Sequence, residues 1–184
     1  MKFAYADPPY YGYSSQFYKD RHDEAAAYDT LDAHAALIKR LCNEYDGWML
    51  SMTSGNLFDI LPLCPRDCRI GAWVKPFASF KPGVGVAYAW EPVIFRGGRK
   101  RSRKENTTRD WCSANIALMR GFPGAKPEGF IRWFLDVMNA NREDVIDDIF
   151  YGSGAVTKFI EQWRNEPDLM SLQPIHKPDQ EAML

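Results

Sequence analysis

Paired cysteines are what this 184-residue chain most plainly lacks. Cys42, Cys64, Cys68 and Cys112 form no paired C-x-x-C set, and no histidine stands close to them. A zinc centre and a disulfide framework are therefore not expected, and the thiols read as reduced. His22, His34 and His176 are scattered and acquire no chemical role. No apolar run reaches membrane-spanning length, and no signal-peptide pattern precedes the first core strand, so a cytoplasmic protein without a membrane partner is expected. Net charge is almost absent too, at −1. There is no internal repeat, and no low-complexity stretch beyond one basic loop.

What is present is an ordinary globular composition, 46% hydrophobic and 26% charged, in a chain long enough to bury a full core as one domain. The charge is unevenly placed. Residues 96–109 carry seven Lys or Arg against one Glu, a local patch suited to a polyanion or simply a solvated loop.

Strand and helix patterns alternate along the chain. Strands are expected at 3–6, 48–52, 69–74, 86–95 and 145–150, from their apolar, β-branched and aromatic runs. Helices are expected at 31–45, 131–139 and 155–164, with a short one in "SGNLFDILPL" capped by Ser54 or Asn56 and ended by Pro62. Residues 97–115 are aperiodic and charged, and read as a loop. The proline-containing residues 167–184 read as an extended tail. This alternation indicates an α/β fold with a mostly parallel central sheet between helical layers.

Two stretches carry chemistry. In "FAYADPPYYGY" an apolar strand ends in an acid and two prolines. Neither proline can donate to a sheet ladder, so the strand stops and Asp7 to Tyr10 are held at its end. The carboxyl end of a strand is where open α/β sheets bind ligands. In "DDIFYGSGAV" an apolar run meets Gly152-Ser153-Gly154, and a helix follows at once. Glycines there let a ligand approach the backbone, and the helix start offers unsatisfied N–H groups.

DPPY together with a D-x-F-x-G-S-G turn resembles the amino-methyltransferases, which move a methyl group from S-adenosylmethionine to an exocyclic amino group of a nucleic-acid base. With DPPY first and the glycine turn last, the order is similar to the permuted β class of DNA methyltransferases. "AWVKP" (72–76), "YAWEPVIFRGG" (88–98) and "AKPEGFIRWFLDVM" (125–138) are similar to further motifs of that family, in the same order. The resemblance covers roughly residues 2–160 and implies a Rossmann-like methyltransferase fold of reduced size over residues 1–166. It implies transfer to adenine N6 in double-stranded DNA, with the base flipped out of the helix. The brevity suits a phage or mobile-element form. N4-cytosine and RNA adenine are alternative substrates, and a degenerate, non-catalytic nucleic-acid- or protein-binding module is an alternative of another class.

The implied chemistry accounts for the residue types. A base amino group is a poor nucleophile, because its lone pair is delocalised into the ring. The Asp7 carboxylate and the Pro8 carbonyl, accepting its two N–H bonds, would stabilise the charge that develops on attack. Pro9 fixes the turn, and Tyr10 offers a face on which the base can stack, worth ~1–3 kcal/mol. No metal is required. The resemblance further places Asp7, Asp148, Phe150, Gly152, Ser153 and Gly154 around the cofactor, with Lys126 and Pro127 by its carboxylate or adenine. Lys75 and Glu91 read better as residues that cap or orient strand ends. Arg99, Lys100, Arg101, Arg103 and Lys104, in a minimal target-recognition loop at 96–115, are expected to hold phosphates without reading bases. So short a region implies loose or short-site specificity unless a homodimer partner contributes. One departure from the family stands out: no convincing strand follows the last helix to supply the acid that usually holds the cofactor ribose, unless Glu166 or Asp168 substitutes.

Overall fold

The computed structural model describes residues 1–12, 25–77, 83–116 and 125–166. In chain order the elements are β1 (Lys2–Ala6), α1 (Leu31–Glu44), β2 (Gly47–Ser51), α2 (Leu57–Ile60), β3 (Arg69–Val74), β4 (Trp90–Gly97), β5 (Trp111–Ser113), α3 (Glu128–Met138), β6 (Val145–Asp148) and α4 (Ala155–Asn165). The expected tail at 167–184 and the aromatic residues Tyr13, Phe17 and Tyr18 lie outside the described residues.

The strands form one six-stranded sheet in the order β5-β3-β4-β2-β1-β6. β1 runs parallel to both β2 and β6, and β3 runs parallel to β5. β4 alone is reversed, antiparallel to both of its neighbours. The sheet is therefore mostly parallel, as expected.

Side-chain alternation along the strands builds two cores, one on each face. Phe3 and Tyr5 of β1, Met49 of β2, and Val93 and Phe95 of β4 pack against α3 and α4. Ala4 and Ala6, Trp48 and Leu50, and Ile94 turn to the other face and meet Leu37, Ile38 and Leu41 of α1. Each large side chain removed from water contributes about 1.5–3 kcal/mol before chain entropy is counted. The small residues of β1 face α1, which lets that helix lie close to the strand carrying Asp7.

Several boundaries differ from the sequence expectation for identifiable reasons. β4 starts at Trp90 rather than 86, its register with β3 ending at the Val74–Trp90 pair, with one further bond from the Lys75 N–H to the Ala89 carbonyl. The short helix is a 3-10 turn at Ser54–Asn56, then α2, then a second 3-10 turn at Leu61–Leu63. Thr53, not Ser54 or Asn56, caps the first turn by accepting the Gly55 N–H, and Pro62 sits inside the last turn rather than ending it. β5 is a strand within the stretch read as a loop. β6 stops at Asp148, and α3 begins at Glu128 after Pro127, earlier than expected.

The reversal of β4 decides where the basic loop goes. Gly97 pairs with Gly47 at the start of β2, so the loop leaves from the amino edge of the parallel strands. That corner is tight: Gly97 has φ +74°, and a Cβ on it would stand 2.2 Å from the Asp46 carbonyl. Only glycine fits there. Beyond it, the Arg99 guanidinium spans both oxygens of buried Asp144, at 2.6 and 2.8 Å. The Met1 amino group and the Asn141 N–H also donate to Asp144. Burial would push the Asp144 carboxyl up, but these donors outweigh it and hold it down at about 2.

Candidate active site

The carboxyl ends of β1, β2, β3 and β6 and the start of reversed β4 share the opposite edge of the sheet. Asp7 stands there, one residue past β1, with its side chain about one-quarter exposed. Both of its oxygens are engaged. The Tyr10 hydroxyl donates to Oδ1 at 3.3 Å, and the Lys126 ammonium donates to Oδ2 at 2.7 Å. Pro8 is buried, which pins the turn between them. Beneath lie the Tyr5 and Ser51 hydroxyls, 2.7 Å apart, and burial together with the nearby Asp7 charge raises the Tyr5 phenol well above its usual range.

Lys126 reaches Asp7 from just before Pro127, whose carbonyl accepts the Phe130 and Ile131 amides of α3. Its side chain is almost wholly buried. Its ammonium lies 5.6 Å from the centre of the Trp73 ring, and that of Lys75 lies 4.6 Å from the same ring. Indole faces attract cations, so Trp73 forms a shared floor for both. Lys75 pairs closely with Oε1 of Glu91, and Oε2 of Glu91 lies 3.9 Å from Lys126. Lys75 and Glu91, which sequence reading assigned to strand ends only, are thus joined to Asp7 in one row of alternating charge. The signal was available: Trp73 with Lys75, and Glu91 with Val93, are spaced by two, so each pair shares a face of the sheet.

One strand over, Asp148 ends β6 opposite Tyr5 of β1. The turn after it carries Gly152 at φ +45° and Gly154 at φ +70°, and α4 begins at Ala155. Among the described residues, a Cβ on Gly152 would find nothing nearer than the Phe150 carbonyl at 3.7 Å, and the glycine itself is exposed. The Ser153 hydroxyl accepts the Ala155 N–H at 3.3 Å. Asp148 Oδ2 accepts the Thr157 hydroxyl at 3.0 Å, while its buried Oδ1 has no hydrogen-bond partner among the described residues. Burial pushes the Asp148 carboxyl up to about 6, assisted by the Asp7 charge and opposed by Thr157 and the Phe150 amide. The Phe150 ring packs edge-on against Tyr28, 4.9 Å between centres, on the α1 side.

The structure thus brings Asp7, Pro8, Pro9, Tyr10, Lys126, Pro127, Asp148 and the 152–154 turn to one edge. It does not bring the basic loop there. Arg99 is held by Asp144, and Arg101 by the carbonyls of Asn106 and Asp136 and the Thr108 hydroxyl, at the far end of the sheet. Lys100, Arg103 and Lys104 are exposed at that same end. Among the described residues no group of three or more His, Cys, Asp or Glu could hold a metal ion, and no helix is long and apolar enough to cross a membrane.

No protein-family model and no curated protein matches the sequence. Solved structures do match. The crystal structure of the M1.HpyAVI–SAM complex superposes with a TM-score of 0.58 at 15% identity, covering 88% of this chain and 78% of that one. The crystal structure of M1.HpyAVI alone gives 0.55 at 13% identity, covering 89% and 76%. At such identities the likeness establishes the fold, a methyltransferase-type α/β arrangement in reduced form.

Proposed function

We propose that this chain is a methyltransferase that uses S-adenosylmethionine to methylate an exocyclic amino group of a nucleic-acid base, adenine N6 in DNA. The carrying observation is that Asp7 is held by Tyr10 and Lys126 beside an exposed glycine turn that leads into the start of α4. The SAM-bound state of a similarly folded protein supports the choice of donor.

The residues fit the donor on chemical grounds. Exposed Gly152 would admit a ligand against the backbone, and Oδ1 of Asp148, without a hydrogen-bond partner among the described residues, could accept from an ammonium. Bound there, the donor supplies a methyl group on a sulfonium, already activated for transfer. Asp7 and the Pro8 carbonyl would accept the two amino hydrogens of the base, orienting the nitrogen lone pair and stabilising its growing positive charge. Tyr10 keeps Asp7 in register and offers its ring to a flipped base. Phe150, turned toward Tyr28, would shape the wall behind the turn rather than stack on the donor.

Donor titration by calorimetry at several pH values tests this reading. Ionised Asp148 would pair with the donor's amino group, so affinity should rise about tenfold between pH 5 and 7, as a carboxyl near 6 goes from mostly protonated to mostly ionised. Stability of the free protein should move the other way. The folded-state carboxyl lies above its unfolded value, so its contribution is complete below about 4 and is lost as pH rises through 6. Absence of any donor heat would favour the non-catalytic module, a reading supported by β6 being the sheet edge, with no further strand beside it among the described residues.

DNA is the proposed polymer, and the exposed Lys100, Arg103 and Lys104 would meet its phosphates only where a duplex reaches around to the amino edge. Neutralising them should flatten the salt dependence of affinity by ~0.9 per lost contact on long duplexes. Short oligonucleotides should bind and react as before. A changed rate on short substrates would place these side chains nearer the chemistry than the structure does.

A further inference from the structure

The arrangement around Asp7 is complete without substrate, and that raises a question of charge. Methyl transfer makes the attacking amino nitrogen positive, yet the Lys126 ammonium sits 2.7 Å from the Asp7 oxygen that should compensate it. While that contact lasts, Asp7 Oδ2 is occupied and its charge is already balanced. Lys126 cannot simply swing into water, because its side chain is only 5% exposed. A second acceptor lies beside it. Glu91 Oε2 is 3.9 Å away, buried and without a hydrogen bond among the described residues, while Oε1 of the same carboxylate is anchored by Lys75. A shift of about 1 Å would bring Lys126 within hydrogen-bond distance of it. The Trp73 ring faces both ammonium groups, so the cation stays over the same floor throughout.

We propose that Lys126 is a movable counter-charge, locking Asp7 in the substrate-free protein and passing to Glu91 when the base's amino group takes Asp7 Oδ2. Glu91 is then a positioning residue that acts through Lys126. The exchange makes and breaks hydrogen bonds only. These four described side chains, two lysines and two carboxylates, stay neutral together, but the negative charge of Asp7 is uncovered where the positive charge develops. Lys75 keeps Glu91 aimed during the exchange. The inference rests on the methyl-transfer reading, since it is the base amino group that displaces the lysine.

The test is a substitution cycle read at saturating donor. Glu91→Gln keeps the shape and the Lys75 contact but offers Lys126 no negative acceptor. It should lower kcat at least tenfold on an adenine-containing oligonucleotide and leave calorimetric donor affinity within twofold of wild type. Adding Lys126→Met should then raise kcat above that of Glu91→Gln alone, because no cation remains to be moved. A further fall in kcat would instead make Lys126 a direct contributor to the chemistry and overturn the proposal. In wild-type protein, the nitrogen resonance of the Lys126 ammonium should shift when the oligonucleotide and the demethylated donor are added together. That measurement needs no variant to fold, and an unmoved signal also overturns the exchange. A wild type that methylates while Glu91→Gln keeps its full kcat defeats this proposal alone. A wild type that methylates no polynucleotide defeats the functional reading, and this one with it.

Discussion

Asp7→Ala should abolish methyl transfer, a loss of at least ~10²–10³ in kcat, the scale of removing one preorganised charge-stabilising group. The Pro8 carbonyl remains as an acceptor, but it carries no net charge to set against a developing cation. The fold should survive. β1 is held by Phe3 and Tyr5 on one face and Ala4 and Ala6 on the other, and Asp7 lies beyond all of them. Breaking a buried ion pair costs about 3–5 kcal/mol when the survivor is stranded, and the cost here should be smaller. Lys126 retains Glu91 at 3.9 Å and the face of Trp73. The variant also relieves Asp148 of a neighbouring negative charge, so the pH midpoint of donor affinity should fall below its wild-type value near 6. Radiolabelled donor with adenine-containing DNA, a melting curve and the pH series read all three effects together. Undiminished transfer by Asp7→Ala would remove the residue from the chemistry altogether.

The parts of this molecule that could be read from the sequence are those fixed by local chemistry. Pro8 and Pro9 end β1 because they cannot join a ladder, and α1 begins at Leu31, where its apolar spacing begins. The glycine turn was legible for the same reason, since Gly152 and Gly154 do adopt positive φ. What stayed hidden depends on partners distant in sequence. Trp111–Ser113 is a strand because Ala72, Trp73 and Val74 lie alongside it, and three residues carry no readable period of their own. The same holds for the basic loop. A loop that follows a parallel strand emerges at the carboxyl edge that carries Asp7, whereas one that follows a reversed strand emerges at the opposite edge. Nothing in the composition of "EPVIFRGG" shows its direction, which is set by pairing with β2 on one side and β3 on the other. The arginines of that loop then find work at home, Arg99 on Asp144 and Arg101 on the end of α3. Lys75, Glu91 and Lys126 are separated along the chain and adjacent in space, so their shared charge row appears only once β3, β4 and the start of α3 converge.

Gly152→Val should nearly eliminate donor binding, a loss of about a hundredfold or more in affinity, while the protein remains folded. Two costs must be separated. The first is backbone strain. At φ +45° a β-branched residue is disfavoured by about 1–2 kcal/mol, which a melting curve would record as a modest shift. The second is occupancy. Among the described residues a Cβ placed there meets nothing closer than 3.7 Å, and Gly152 is exposed, so the new side chain starts outward rather than into the core. That side is where the donor is proposed to approach the backbone, and filling it should cost affinity far beyond the stability change. Gly154 would make a poorer test, because a Cβ there stands 2.7 Å from the Tyr151 hydroxyl and would disturb the turn itself. Gly152→Ala provides the graded control, with similar strain, less volume and an intermediate affinity. Calorimetry of the free protein with donor alone reads the result without any dependence on nucleic acid. If both variants melt lower yet bind the donor as tightly as wild type, the donor lies elsewhere on the carboxyl edge, and the turn serves only to connect β6 to α4.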